Sequence, residues 1–194
     1  MDPNKVGVVL NIPLALVNAI GSVVAVFIID KMGRRFIMLR TLPFILVACL
    51  LVSLSMYLTS FSKKDIFVEI GDYLAMVGLI MYLSFFSVGM SSPVWSVNTE
   101  IYPIHLIGSG SSLATSTNWF SNFLVSTFFL SILKSSDTGK VVAFGLLAMF
   151  SLLAYIFIYF LLPETGGKPI NENIKNILGE KKYNKLIDRD MNNT

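Results

Sequence analysis

Asn18, Trp95, Asn118, Trp119 and Asn122 are of types that bind a ligand rather than transform one. An amide donates and accepts at once, so it bonds a hydroxyl in either direction. An indole packs on the apolar C–H face of a ring. Together they suit a neutral, polyhydroxylated ligand. Each stands in a stretch without Asp, Glu, Lys or Arg, which disfavours a charged substrate and a proton relay within these stretches. The chain has one His and one Cys, no His/Glu cluster and no nucleophile with a base at useful spacing. An enzyme is therefore disfavoured, and neither metal nor cofactor is expected.

The elements that must position these residues are set by where charges are missing. Of 194 residues, 54% are hydrophobic and 14% charged, against roughly 25% charged in a soluble domain. No charge occurs between Lys5 and Asp30, or from Thr41 to Ser62, Tyr73 to Thr99, Ile101 to Leu133 and Val141 to Pro163. Each run reaches the ~20 residues that span ~30 Å of hydrocarbon as a helix. Barrel strands alternate over about 10 residues and do not fit such continuous runs. The fold class is thus an all-α, polytopic membrane helix bundle over 1–163, with predicted spans 6–29, 41–61, 73–99, 104–133 and 141–162. The first run is far longer than the roughly 7–15 residues of a signal-peptide core, so it is predicted to stay in the protein.

Lys and Arg flanking the runs orient them. Lys31, Arg34, Arg35 and Arg40 follow the first span; Lys168, Lys175, Lys181, Lys182, Lys185 and Arg189 follow the fifth. These ten are predicted cytoplasmic, against five (Lys5, Lys63, Lys64, Lys134 and Lys140) outside. The tail, 164–194, is then cytoplasmic, with a short amphipathic helix around Ile170, Ile174, Ile177 and Leu178 at the inner surface, followed by solvated chain. Cys49, mid-span, reads as a small apolar residue. The net charge of +3 is spent on orientation and forms no patch, so the expected partner is the lipid bilayer and no nucleic acid.

Polar residues inside spans are costly, which makes their angular distribution informative. In the fourth span Ser111, Thr115, Asn118, Asn122 and Ser126 share one helical face; in the third, Ser84, Ser87, Ser91, Trp95 and Asn98 do so; in the first, Asn11, Asn18 and Ser22. A lone Ser or Thr on such a face is more often a helix-packing residue than a ligand. Asn has two donors and an acceptor to satisfy, so three helices presenting Asn predict one shared hydrophilic cavity, with spans two and five as lipid-facing support. Asn18 stands 11 residues before Ile29, hence ~17 Å deep and near the midplane, and Asn118 reaches a similar depth. Pro93 removes a backbone hydrogen bond and, with Gly89, Ser91 and Ser92 nearby, predicts either a hinge or a static kink.

Four motifs frame these residues: Asp30-Lys-Met-Gly-Arg-Arg35; Pro93-Val-Trp95 followed by Glu100-Ile-Tyr-Pro103; Asn118-Trp119; and Pro163-Glu-Thr-Gly166. In order and spacing they resemble the sugar porter family of the major facilitator superfamily, the facilitative glucose transporters and their relatives. The resemblance implies that the five spans are helices eight to twelve of a twelve-helix transporter, in the plasma membrane by expectation. It implies transport of a hexose or related neutral polyol by alternating access, with Asn18, Trp95, Asn118, Trp119 and Asn122 as sugar contacts. It implies further that Asp30, Arg34, Arg35, Glu100 and Glu164 form a cytoplasmic gate, a salt-bridge latch made when the transporter faces outward and broken when it faces inward. Gly89 and Pro93 are its candidate hinge.

The chain departs from the family pattern in places. Ser87 stands where the family has a cavity carboxylate, which removes one sugar hydrogen bond and leaves the sugar open. His105 and Ile107 stand where Arg is usual, and Gly166 where Lys is usual, with Lys168 two residues on. These departures predict looser ion pairing at the inner gate. Five spans cannot form two six-helix halves. The chain is therefore expected to act as the C-terminal part of a transporter, partnered by the missing N-terminal half. The alternative is a truncated, non-transporting membrane remnant or partner subunit. Upstream coding sequence for about seven more helices, and sugar uptake, would separate the two.

Overall fold

With no water to bond its backbone, a long apolar run becomes a helix. The computed structural model describes residues 3–61 and 65–184, with side chains from residue 12 onward except that of Asp30. Lys63, Lys64, Lys185, Arg189 and the final stretch of the tail lie outside the described residues, as do the side chains of Lys5, Asn11 and Asp30. The helices are α1 (Pro3–Met32), α2 (Arg34–Phe61), α3 (Asp65–Phe86), α4 (Ser92–Glu100), α5 (Ile107–Ser135), α6 (Asp137–Leu161) and α7 (Ile170–Leu178). A π-helical turn, Ser87–Ser91, joins α3 to α4, and a 3₁₀ turn, Ile104–Leu106, leads into α5.

Among the described residues, four helical segments are long and apolar enough to cross a membrane: Ile12–Ile29, Arg34–Phe61, the merged Asp65–Glu100, and Asp137–Leu161. The remaining expected span, 104–133, is present as the 29-residue α5, ample in length but less apolar than the others. Its hydroxyls turn back on the helix: Thr117 Oγ1 donates to Leu113 O at 2.9 Å, Thr127 Oγ1 to Phe123 O at 2.8 Å and Ser131 Oγ to Thr127 O at 2.8 Å. Such bonds lower the cost of carrying hydroxyls through lipid.

α2 is the centre of the bundle, packed between α3 and α6. Half of its apolar window is buried, against 17% in each of the other three. Met38, Leu42, Ile45 and Cys49 of α2 meet Val97 of α4 and Ala148 and Ile158 of α6. This departs from the expectation that span two is lipid-facing support. A helix apolar all round suits lipid and protein core equally, so composition cannot separate them. Small residues and hydroxyls decide. Ser55 Oγ donates to Gly71 O at 2.7 Å, Ser53 Oγ to Val141 O at 2.9 Å, and α3 approaches so closely that a Cβ on Gly78 would lie 2.7 Å from Val52 Cγ2.

The π turn re-aims the third predicted span. Ser84 Oγ donates to Ile80 O at 2.7 Å, and the fully buried Ser87 donates to Ser84 O at 3.1 Å and packs over Gly21 of α1. From the last residue of the turn onward, Ser91, Trp95 and Asn98 face α5 instead. One residue inserted into a 3.6-residue period rotates the rest of the helix by about 100°, so the five-residue stripe is split between two sides.

The short tail helix forms where the Ile spacing predicts it. Only one turn of it, Asn173 and Ile174, is buried. Beyond it, Lys175 Nζ lies 2.7 Å from Glu180 Oε1, which holds the lysine above and the glutamate below their ordinary pKa ranges.

Candidate functional site

A cavity of about 560 Å³ opens between the end of α3, the π turn and α4 on one side and α5 on the other. Trp95, Asn98 and Ser91 line it across from Asn118 and Asn122, with Phe86, Met90, Val94 and Ala114 as its apolar wall. Its volume falls in the usual range for a small-molecule site. Asn122 Nδ2 donates to Asn118 O at 3.0 Å, one turn back on its own helix. That bond uses one Asn122 amide donor and leaves its oxygen as an acceptor, while the Asn118 amide offers both donor and acceptor. Trp95 is 46% exposed. Amides on one wall and an indole on the other can take a ring that is polar at its rim and apolar on its face.

Of the five candidate contacts, three (Trp95, Asn118 and Asn122) line this cavity. Trp119 is 68% exposed and lies outside the lining, because consecutive residues on a helix point about 100° apart. Asn18 is exposed on α1, which packs against α3, the π turn and α4; its carbonyl accepts from Ser22 Oγ at 3.0 Å. Asn98 also lines the cavity, although spacing alone assigns it only to a polar face; its position three residues after Trp95 is the available signal. A larger cavity, about 680 Å³, lies at the opposite end of the bundle, lined by Met56, Phe144, Lys134 and Lys140 among others. It carries no amide or indole. Among the described residues no three His, Cys, Asp or Glu side chains group as metal ligands.

At the other end of α4, charged residues from distant parts of the chain meet. Gly33, at φ +84°, turns α1 into α2; a Cβ there would lie 2.7 Å from the Glu164 carboxylate. Glu164 sits over the N-terminus of α2, accepting from the backbone N–H of Arg34 at 2.8 Å, Arg35 at 3.4 Å and Phe36 at 3.2 Å, and of Gly166 at 3.0 Å. The first amides of a helix lack intrahelical partners and carry partial positive charge, so a carboxylate is well placed there. The Arg34 guanidinium reaches the other way: Nε and Nη2 lie 3.1 and 3.0 Å from Glu100 Oε1, and Nη1 donates to Ile29 O at 3.2 Å. Arg34 and Glu100 side chains are 13% and 22% exposed. Arg35 Nη2 donates to Tyr159 O at 2.7 Å.

Thus α1, α2, α4 and the segment after α6 are tied through Arg34, Glu100 and Glu164. The departures from the family pattern have local reasons. A Cβ at Gly166 would lie 3.0 Å from Gly33 Cα and 3.2 Å from Arg34 Nη1, leaving little room for a lysine. Lys168 instead pairs with Glu172 of α7 at 3.5 Å. His105 is exposed in the 3₁₀ turn. Asp30 belongs to α1 by its backbone.

Residues 1–176 match the family model described as sugar (and other) transporter. The chain is 30% identical over 165 residues to Myo-inositol transporter 1 of Cryptococcus neoformans var. grubii, covering 82% of this chain and 29% of that protein. It is 32% identical over 171 residues to Sugar transporter ERD6-like 8 of Arabidopsis thaliana, covering 88% and 34%. It is 32% identical over 174 residues to Membrane transporter D1 of Leishmania donovani, covering 90% and 31%. The chain spans about a third of the length of these relatives. A family model matched over most of the chain, together with a bundle of apolar helices that carries an amide- and indole-lined cavity, makes this chain a member of the sugar transporter family.

Proposed function

We propose that the chain is the C-terminal part of a membrane transporter for a hexose or related neutral polyol, working by alternating access with its tail in the cytoplasm. The observation that carries this is the cavity in which Trp95 of α4 faces Asn118 and Asn122 of α5. A sugar ring would pack on the Trp95 indole, with hydroxyls bonded to the Asn118 amide and the Asn122 oxygen, and Asn98 completing the wall. The names of the relatives, sugar and myo-inositol transporters, support a polyol substrate. The opposite wall would come from an N-terminal half. Arg34, Glu100 and Glu164 act as the inner gate: their contacts hold the cytoplasmic ends of four segments together, and releasing them opens the cavity inward. Gly89 and Pro93, flanking the π turn's end, form the hinge that lets α4 tilt.

The test is uptake of labelled hexose and labelled myo-inositol by the full transporter carrying these residues, in cells lacking their own carriers. Asn118→Ala removes one or two hydrogen bonds of about 1 kcal/mol each, and Trp95→Ala removes a stacking face of similar worth, so each lowers uptake at subsaturating sugar roughly tenfold. Unchanged uptake in both variants would sink the proposal.

A further inference from the structure

α5 and α6 are joined by a turn so tight that a Cβ on Gly139 would overlap the Ile132 carbonyl oxygen, yet the seam between the two helices is not filled. At the turn lies the 680 Å³ cavity, whose polar wall is Lys134, Ser136, Asp137 and Lys140. A second cavity of about 340 Å³ follows along the same seam, lined by Leu124, Phe128, Phe129 and Ile132 of α5 and Leu147 and Phe150 of α6 among others, every one apolar. The two adjoin: Phe144 of the first meets Phe129 of the second edge-on, ring centroids 5.5 Å apart.

Charge and length both point to one kind of occupant. Asp137 lies 2.7 Å from Lys140 Nζ, while among the described residues no carboxylate pairs with Lys134. Two ammonium groups and one carboxylate leave one positive charge uncompensated at the mouth. Ser136 Oγ accepts from the Gly139 N–H at 3.0 Å and keeps its own proton to donate. From Lys134 back to Leu124, and from Lys140 on to Phe150, each helix runs ten residues, ~15 Å or half of the ~30 Å hydrocarbon core. The groove is thus one leaflet long, with its positive end at the interface. Phe128 and Phe150 are 63% and 54% exposed, so it is open at the side rather than enclosed. A smooth apolar face meets lipid in general, whereas a concavity of this length ending in unmatched positive charge suits a single molecule with an anionic head and an apolar tail.

We infer that the α5–α6 seam binds one acidic phospholipid, its phosphate between Lys134 and Lys140 with the Ser136 hydroxyl as a further donor, and an acyl chain along the groove from Phe144 to Leu124. The bound lipid fills the space the two helices leave and ties α5, which bears Asn118 and Asn122, to α6.

Photocrosslinking of the full transporter in phosphatidylcholine nanodiscs tests this. The probes are phosphatidylglycerol and phosphatidylcholine, each with a diazirine on one acyl chain, and labelled peptides are mapped by mass spectrometry. Phosphatidylglycerol is expected to label residues 124–132 and 143–150 about fivefold more than phosphatidylcholine, the worth of about one lysine beside an anionic headgroup. The preference should fade as salt rises toward about 1 M. Lys134→Ala, which breaks no ion pair within the described chain, should abolish the preference, and Lys134→Glu should reverse it. Leu124→Trp narrows the groove and keeps both lysines, so it should lower labelling by phosphatidylglycerol at least threefold. Equal labelling by the two probes in the parent protein, or a preference that survives both Lys134 variants, would overturn the inference. Absence of labelling along the seam would overturn it too, since the N-terminal half would then cover the groove.

Discussion

Replacing Arg34 with alanine is expected to lower sugar uptake by the full transporter roughly thirtyfold, the largest loss for any single change at the cytoplasmic end. Glu100 Oε1 loses both of its guanidinium donors, and Glu100 Oε2 is already buried without a partner, so a carboxylate is stranded. Breaking a fully buried pair costs about 3–5 kcal/mol. With the two side chains 13% and 22% exposed, solvent screening lowers that to about 2 kcal/mol, which gives the thirtyfold figure. Under the gate role proposed above, the loss falls on the closed state alone and shifts population toward the inward-open state. Arg34→Lys should recover little, because one ammonium cannot reach Glu100 and the Ile29 carbonyl together. The discriminating measurement is a double-mutant cycle in uptake with Glu100→Gln. A stranded charge predicts that the second change adds little to the first, and additive losses would show that the two residues act separately.

The second large effect is on stability. Gly89→Ala is expected to cost about 3 kcal/mol, the upper part of the range for overpacking. A Cβ at Gly89 would overlap Thr41 Oγ1 and Cβ and lie 2.8 Å from its Cγ2. Thr41 cannot swing away. It is 7% exposed, and its hydroxyl is bonded to Ile37 O at 3.0 Å and Met38 O at 3.3 Å within the most buried helix. Thermal denaturation of the solubilised protein should drop clearly for Gly89→Ala. It should recover in part with Thr41→Ala, which trims the hydroxyl and methyl but keeps Cβ. A Gly89→Ala protein as stable as the parent would mean that the π turn does not press on α2.

Some features were legible because they depend on chemistry that acts residue by residue. Charge-free runs of this length read as membrane helices, and the spacing of Ile170, Ile174, Ile177 and Leu178 permits the short tail helix that forms over Ile170–Leu178. Asn118, Asn122 and Trp95 were readable as cavity residues because an amide or indole in lipid needs a partner, and helical spacing puts each on a definite face. Trp119 and Asn18 carry the same chemistry and yet lie outside the cavity that Trp95 lines. What distinguishes them is helix rotation and which helices pack against α1, and neither is a property of the residue.

The sequence by itself determined that this is a helical membrane bundle of the sugar transporter family, and which side chains are chemically able to meet a polyol. Only the tertiary structure decided that α2 is the core, that the π turn divides the polar stripe of the third span, and that Glu164 caps α2 while Arg34 turns to Glu100. The physical reason is that hydropathy and spacing measure what each helix offers to any surroundings. Which helix is enclosed, how far an inserted residue rotates a face and which charges meet are fixed by contacts between segments up to 130 residues apart, as with Arg34 and Glu164.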